Sequence, residues 1–239
     1  MKENIPNIIT LLNLSSGLIA LYFVFNQQWD MAYFFLFLGI FFDFIDGFVA
    51  RKLNVSSPMG LQLDSLADMV TSGVVPTFVL FFMIAASLGI EKLDFSNPKT
   101  LLPLFSFAVA WGSAWRLAVF NTDERQSQNF IGLPTPANAL FIASLPLLLE
   151  QTHWQFLKNL LTNPYVLIGI SFLSAFLLNM ELELFSLKFK DFKWQNNKRK
   201  YTLLLLILIL IPLFKIQAVP FLIFLYILIS YLTFKKVKS

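Results

Sequence analysis

The chain has 239 residues, 57% of them hydrophobic and 13% charged, against roughly 45–50% and about 25% in a soluble domain. Together with 28 phenylalanines and a mean hydropathy of +0.69, these values exclude a soluble or disordered chain and fit one helical membrane domain of several spans. The absence of cysteine excludes disulfides, thiolate metal sites and cysteine nucleophiles, and the net charge of +4 takes its meaning from where the basic residues lie.

The first apolar run, about residues 8–25, follows Lys2. It is longer than the core of a signal peptide and has no small-residue cleavage site, so it reads as a retained first span. Further spans are predicted at about 31–50, 65–88, 101–120, 135–150, 164–181, 202–214 and 218–234. The predicted fold class is therefore all-α: a polytopic transmembrane helix bundle of about eight spans, a six-helix core plus a C-terminal hairpin. The last two spans are short and adjoin Pro212 and Pro220, so six spans plus a re-entrant hairpin is the alternative. A polar, basic segment at about 183–201 reads as a linker dividing a membrane core, 1–182, from the hairpin, 202–239.

Eight spans put both termini on one side, and 14 of the 18 basic residues fall there, from Lys2, Arg51, Lys52 and Arg116 to Lys235, Lys236 and Lys238. Lys92, Lys99, Lys158 and Lys215 fall on the other. This asymmetry predicts a multi-pass protein of the cell (inner) membrane with its termini in the cytoplasm. The basic excess is then topological and implies no nucleic-acid partner. The six basic residues from Lys188 to Lys200 read as a topogenic surface, with binding of anionic headgroups as the alternative. His153, the single histidine, falls in an outer loop and is given no catalytic role.

Four aspartates interrupt this apolar sequence: Asp43 and Asp46 close the second span, and Asp64 and Asp68 open the third. Each costs roughly 2.5–3.5 kcal/mol at a helix centre, so an intramembrane acid reads as functional. Spacings of three and four put each pair on one helix face, and a turn of about a dozen residues holding Ser56, Ser57, Pro58 and Gly60 would let the faces converge. Carboxylates this close repel unless a divalent cation neutralises them, and an all-oxygen ligand set favours Mg²⁺ or Mn²⁺ over zinc. Asp43, Asp46, Asp64 and Asp68 are thus candidate metal ligands. Gly47, Ala50 and Gly60 lie one turn from these acids. They leave room for a phosphate-bearing ligand against the backbone, or serve close helix packing.

The pattern D-x-x-D-G-x-x-A-R-x8-G-x3-D-x3-D, from Asp43 to Asp68, matches at every fixed position the signature of the CDP-alcohol phosphotransferase family, which this chain resembles. Three further stretches, 5–13, 63–73 and 132–139, resemble that family's phosphatidylserine synthase branch. The resemblance implies a membrane enzyme that transfers the phosphatidyl group of CDP-diacylglycerol to L-serine, giving phosphatidylserine and CMP, and a homodimer surrounded by membrane lipid. It implies Asp43, Asp46 and Asp64 as metal ligands, with Asp68 as shared ligand and general base. It places the CDP-lipid near Asn7, Thr10, Gly47, Ala50, Arg51 and Gly60, although an arginine at a helix end is also routine.

A zwitterionic acceptor would need a cation and polar groups near the acids. Arg116, Asn121 and Thr135 are the serine-binding candidates, with Arg125 and Asn138 nearby. The alternative for Arg116 is a side chain snorkelling to lipid headgroups. Three other functions stay open. A sister enzyme using glycerol 3-phosphate or an inositol phosphate would want extra basic residues. A prenyltransferase would want a second acid-rich motif, near which only Asp123 and Glu124 fall. A divalent-cation transporter would want carboxylates nearer mid-membrane and has no use for the Gly/Ala spacing.

Overall fold

The computed structural model describes residues 4–55, 57–122, 130–181, 183–184 and 194–237. Helix α1 (Asn4–Phe25) and helix α2 (Trp29–Leu53) form an antiparallel hairpin. α1 turns its small and polar residues Thr10, Asn13, Ser16, Gly17 and Ala20 inward, and α2 answers with Ala32, Leu36 and Gly39. Small residues let two membrane helices approach closely where no water is available to drive them together. Beside this buried stripe, α2 carries Phe34, Phe37, Phe41, Phe44 and Phe48 on its outer face, all exposed. An outside as apolar as the inside is what a bilayer solvates.

Helices α1 and α2 and the later α4 (Val75–Leu88) end in the same device. Gln27, Asn54 and Gly89 adopt the left-handed conformation, at φ 54°, 53° and 65°. In each case the next residue's N–H reaches back five positions, as from Gln28 to Phe23 O at 2.9 Å, from Val55 to Ala50 O at 3.0 Å and from Ile90 to Ala85 O at 2.9 Å. These bonds satisfy carbonyls that a helix end otherwise leaves open.

The turn after α2 is short. Helix α3 (Pro58–Asp68) starts at once, with Pro58 in its first turn and the Ser57 hydroxyl accepting from the Gly60 N–H at 3.0 Å. The expected dozen-residue turn is therefore corrected to residues 54–57, and Gly60 sits in a helix. α3 continues through a π-helical turn, Met69–Val74, into α4 (Val75–Leu88), giving one stretch of 31 residues. Pro76 has no N–H to return to residue 72, which suits the wider turn just before it. The Thr77 hydroxyl donates to Gly73 O at 2.8 Å across the same junction.

A 3₁₀ segment, Pro98–Ser106, leads into α5 (Phe107–Thr122). After it come α6 (Thr135–Gln151), α7 (Gln155–Leu161), α8 (Pro164–Asn179), α9 (Trp194–Phe214) and α10 (Ala218–Val237). α7 and α8 meet at a bend of 71°. The Asn163 side chain caps α8 by accepting from the N–H groups of Tyr165 and Val166. A feature outside the all-helical expectation is a two-residue antiparallel ladder of β1 (Phe130–Ile131) and β2 (Glu183–Leu184). It ties the approach to α6 to the chain leaving α8.

The protein is an all-α polytopic bundle. Every expected span falls on helix, α8 ending two residues early at Asn179. Among the described residues, four helical stretches are long and apolar enough to cross a membrane, and a fifth if α7 and α8 count as one span. The apolar parts of α9 and α10 are shorter, and α6 has 17 residues. Of the linker expected at 183–201, residues 185–193 lie outside the described residues and 194–201 open α9, which has a non-helical break at Asn197. The main core gathers Val24, Leu36, Leu80, Ile84, Ile142 and Leu167 from α1, α2, α4, α6 and α8. A second cluster of Leu133, Leu203 and Tyr226 fastens α9 and α10 to the start of α6.

Helices α5 and α8 cross closely. A Cβ on Gly112 would lie 2.7 Å from Ala175 Cα, and Asn179 Nδ2 donates to Gly112 O at 2.9 Å. Gly169 has nothing within 4 Å of such a Cβ. Gly112→Val should cost about 1–3 kcal/mol by forcing the two backbones apart. Gly169→Ala should be neutral or stabilising by up to about 1 kcal/mol. Thermal unfolding of the two variants in detergent, against the native protein, checks both.

Candidate active site

The acids meet because α2 delivers Asp43 and Asp46 one to three turns before its end and α3 carries Asp64 and Asp68 back along the same wall. One carboxylate oxygen each of Asp43, Asp64 and Asp68 lie within 4.8 Å of one another. The carboxyl groups of Asp43 and Asp64 stand close enough to repel unless a proton or a cation lies between them. Asp64 Oδ1 is buried without a hydrogen-bond partner. Three converging carboxylates, one of which carries an orphaned oxygen, fit a hard divalent cation of the Mg²⁺ or Mn²⁺ type, and the lack of nitrogen and sulfur donors disfavours zinc.

Asp46, the fourth expected ligand, stands outside this triad. Its Oδ2 accepts from the Thr10 hydroxyl at 2.6 Å, and the residue is buried. It divides two cavities. The first, of about 170 Å³, lies between α1, α2 and the start of α3. Five of the six residues expected to hold the CDP-lipid line it: Asn7, Thr10, Gly47, Ala50 and Gly60. The second, of about 330 Å³, is bounded by Asp43, Asp64, Asp68, Arg51, Arg116 and Thr135 among others. Asp46, Gly47 and Asp64 belong to both walls.

The two glycines differ in what surrounds them. A Cβ at Gly60 would lie 3.1 Å from Asn7 Oδ1, so close approach of α1 fixes that glycine. A Cβ at Gly47 would meet only the Arg51 guanidinium, at 3.3 Å from Nη1, so its missing side chain leaves open space. Arg116 is likewise settled against snorkelling, being 6% exposed, with Nη1 donating to Leu178 O at 3.0 Å. Gly132, at φ 81°, passes over it; a Cβ there would strike the Leu178 carbonyl and come within 2.8 Å of Nη1. Tyr226 of α10, also buried, stands near enough to interact electrostatically with the guanidinium.

Of the other acceptor candidates, Thr135 lines the second cavity. Asn121 does not; its Nδ2 donates to Ser65 Oγ at 2.8 Å and ties α5 to α3 beside Asp64. Arg125 lies outside the described residues. Sequence reasoning passed over Asn13, Thr71 and Tyr226. Asn13 had a signal, since Pro6, Thr10, Asn13 and Gly17 form a buried stripe at helical spacing on an otherwise apolar helix. The Tyr226 contact spans over 100 residues and has none.

These features define a class: a membrane-embedded transferase whose acid centre separates two adjoining cavities. The chain belongs to the CDP-alcohol phosphatidyltransferase family, whose model matches residues 3–176. It is similar to the CDP-diacylglycerol–serine O-phosphatidyltransferase of Bacillus subtilis, 38% identical over 132 residues that make up 55% of this chain and 69% of that protein. The protein of that name from Helicobacter pylori strain 26695 is 29% identical over 212 residues, 86% of this chain and 78% of the relative. The one from Methanocaldococcus jannaschii is 33% identical over 138 residues, 58% of each chain.

The triad can be tested without turnover. Mn²⁺ binding to detergent-purified protein, followed by electron paramagnetic resonance, should weaken at least about tenfold in Asp43→Asn and Asp64→Asn, as loss of one hard ligand from three demands. Asp94→Asn, in the exposed loop before the 3₁₀ segment, should bind as the native protein does.

Proposed function

We propose that the protein transfers the phosphatidyl group of CDP-diacylglycerol to L-serine, releasing CMP and forming phosphatidylserine. The observation that carries this reading is the pair of cavities meeting at Asp46, Gly47 and Asp64, with the acid triad at the junction and a buried arginine in the outer wall of one. Membership of the family and the names of three relatives support it.

The first cavity takes the cytidine diphosphate end of the lipid, with Asn7, Thr10, Ala50 and Gly60 around it and Gly47 leaving room for phosphate. Arg51, on the rim of the second cavity, meets the diphosphate from the other side. Asp43, Asp46, Asp64 and Asp68 would hold Mg²⁺ or Mn²⁺, which when bound offsets charge developing on the diphosphate. The second cavity takes serine, its carboxylate paired with Arg116 and its ammonium group near the acids, with Thr135 offering a hydroxyl. Asp68 accepts the proton of the serine hydroxyl as that oxygen bonds to the lipid-bearing phosphorus. The bond from phosphorus to the CMP oxygen breaks in the same displacement. A carboxylate shared with a metal is a weak base, so the proton moves as the new bond forms rather than before it.

Fourteen of 18 basic residues on the side of the acids support a cytoplasmic active site in the cell membrane. The homodimer is part of the same reading and rests on family resemblance.

Purified protein with Mg²⁺ or Mn²⁺ should release CMP from CDP-diacylglycerol when L-serine is supplied, and at least about tenfold more slowly with glycerol 3-phosphate or an inositol phosphate; chelation should stop it. Robust release with glycerol 3-phosphate and none with serine would overturn the acceptor and leave the family standing. Arg116→Ala should raise the KM for serine at least about tenfold, worth about 1.4 kcal/mol or more of lost carboxylate binding, while the KM for the CDP-lipid holds within about twofold.

Orientation has its own measurement, because the chain has no cysteine. Met59→Cys, 69% exposed at the start of α3, should react with an impermeant thiol reagent only from the cytoplasmic side. Phe95→Cys, 80% exposed in the loop after α4, should react only from outside.

A further inference from the structure

Asp68 is held by one side chain that is itself held by a second, and both lie outside the two cavities. Asn13, on α1, is fully buried, and its Nδ2 donates to Asp68 Oδ1 at 3.1 Å. Its Oδ1 accepts from the Thr71 hydroxyl at 2.8 Å, and Thr71 is also fully buried. The hydroxyl occupies the oxygen end of the amide, so the nitrogen end is the one turned to Asp68. The same hydroxyl stands 3.3 Å from the Asn13 backbone carbonyl, which seats it on α1 a second time.

Thr71 belongs to the π-helical turn that follows Asp68. It projects into a slot between α1 and α2 that exists because both helices carry glycine there. A Cβ at Gly17 would collide with the Thr71 hydroxyl. One at Gly39 would lie 2.8 Å from Thr71 Cγ2 and 3.1 Å from Asn13 Oδ1. Three helices are thus shaped around one hydroxyl whose polar contacts are all with Asn13. Packing alone has no use for an alcohol at this place; valine has the same shape. A relay that dictates which atom of Asn13 faces Asp68 does need it.

We infer that Asn13 and Thr71 are a positioning pair for the reaction: Thr71 orients the Asn13 amide, and the amide pins Oδ1 of Asp68 so that Oδ2 is presented to the acceptor hydroxyl. The inference rests on Asp68 being the base. Neither residue lines either of the two cavities described, so their loss acts on the chemical step and not on substrate binding. Misplacement of a catalytic group by about 1 Å lowers rate about 100-fold.

The test measures CMP release at saturating Mn²⁺ while CDP-diacylglycerol and serine are varied, with thermal unfolding recorded alongside. Thr71→Val should lower kcat about 10- to 100-fold with both KM values within about twofold. Thr71→Ser, which keeps the hydroxyl, should recover kcat to within about threefold. Asn13→Ala should match Thr71→Val, and the double variant should be no slower than the slower single one, because the two residues act through one contact. The pair is refuted by a Thr71→Val enzyme with kcat within about twofold of native, by Thr71→Ser as slow as Thr71→Val, or by losses that multiply in the double variant. Should Thr71→Val not fold, Thr71→Ala against Thr71→Ser carries the same comparison, since neither adds bulk to the slot. Asp68→Asn separates this inference from its premise. A near-native kcat there removes the base and the pair with it, whereas an inactive Asp68→Asn beside a native-like Thr71→Val removes the pair alone.

Discussion

Three carboxylates held within 4.8 Å of one another set the terms for the rest of this molecule. At an effective dielectric of about 20, two unit charges at that distance repel by roughly 3.5 kcal/mol, and three such pairs by roughly 10. The whole stability of a domain is about 5–15 kcal/mol. A fully charged triad with nothing between its members would oppose folding by nearly as much as everything else favours it. The cluster therefore implies a proton or a cation among its carboxylates, and the helices around it have to be rigid enough to hold the acids together.

That rigidity comes from backbone proximity more than from large side chains. α1 runs past both acid pairs and touches them through short polar groups: Asn7 against Gly60, Thr10 on Asp46, Asn13 on Asp68. Helices can lie this close only where glycine or alanine faces the neighbour, as at Gly17, Gly39 and Gly112. The bulky residues are displaced outward, which is why phenylalanine covers the exposed face of α2. In water that arrangement would be unstable; in lipid it adds little cost, because the exterior is as apolar as the core.

What could be read from the sequence was whatever repeats at helical spacing. The acid pairs at three and four residues, and the small residue one turn from an acid, are local patterns that survive into the structure with their geometry intact. The start of α3 was available in Ser57-Pro58 but was outweighed by polar residues such as Gln62 and Asp64, which pushed the apolar boundary to about residue 65. Gly89 announces a helix end and Asn54 does so more weakly, being of a type enriched in the left-handed region, whereas the left-handed Gln27 does not, because there the hairpin geometry overrides local preference. The π-helical turn, the β1–β2 ladder and the Arg116–Leu178 bond depend on partners more than about 50 residues away or on a proline downstream, and no short-range pattern encodes them.

The surroundings of Arg116 also bear on how such a protein diversifies. The family model stops at residue 176, yet the guanidinium donates to the Leu178 carbonyl, which the Leu177–Leu133 bond helps to seat, and has Tyr226 within electrostatic reach. The acid centre is wholly inside the common portion; the wall of the second cavity leans on the part beyond it. Changing the chain beyond residue 176 would therefore alter the support behind Arg116 while the four aspartates keep their places, so that one engine can be fitted with different mouths.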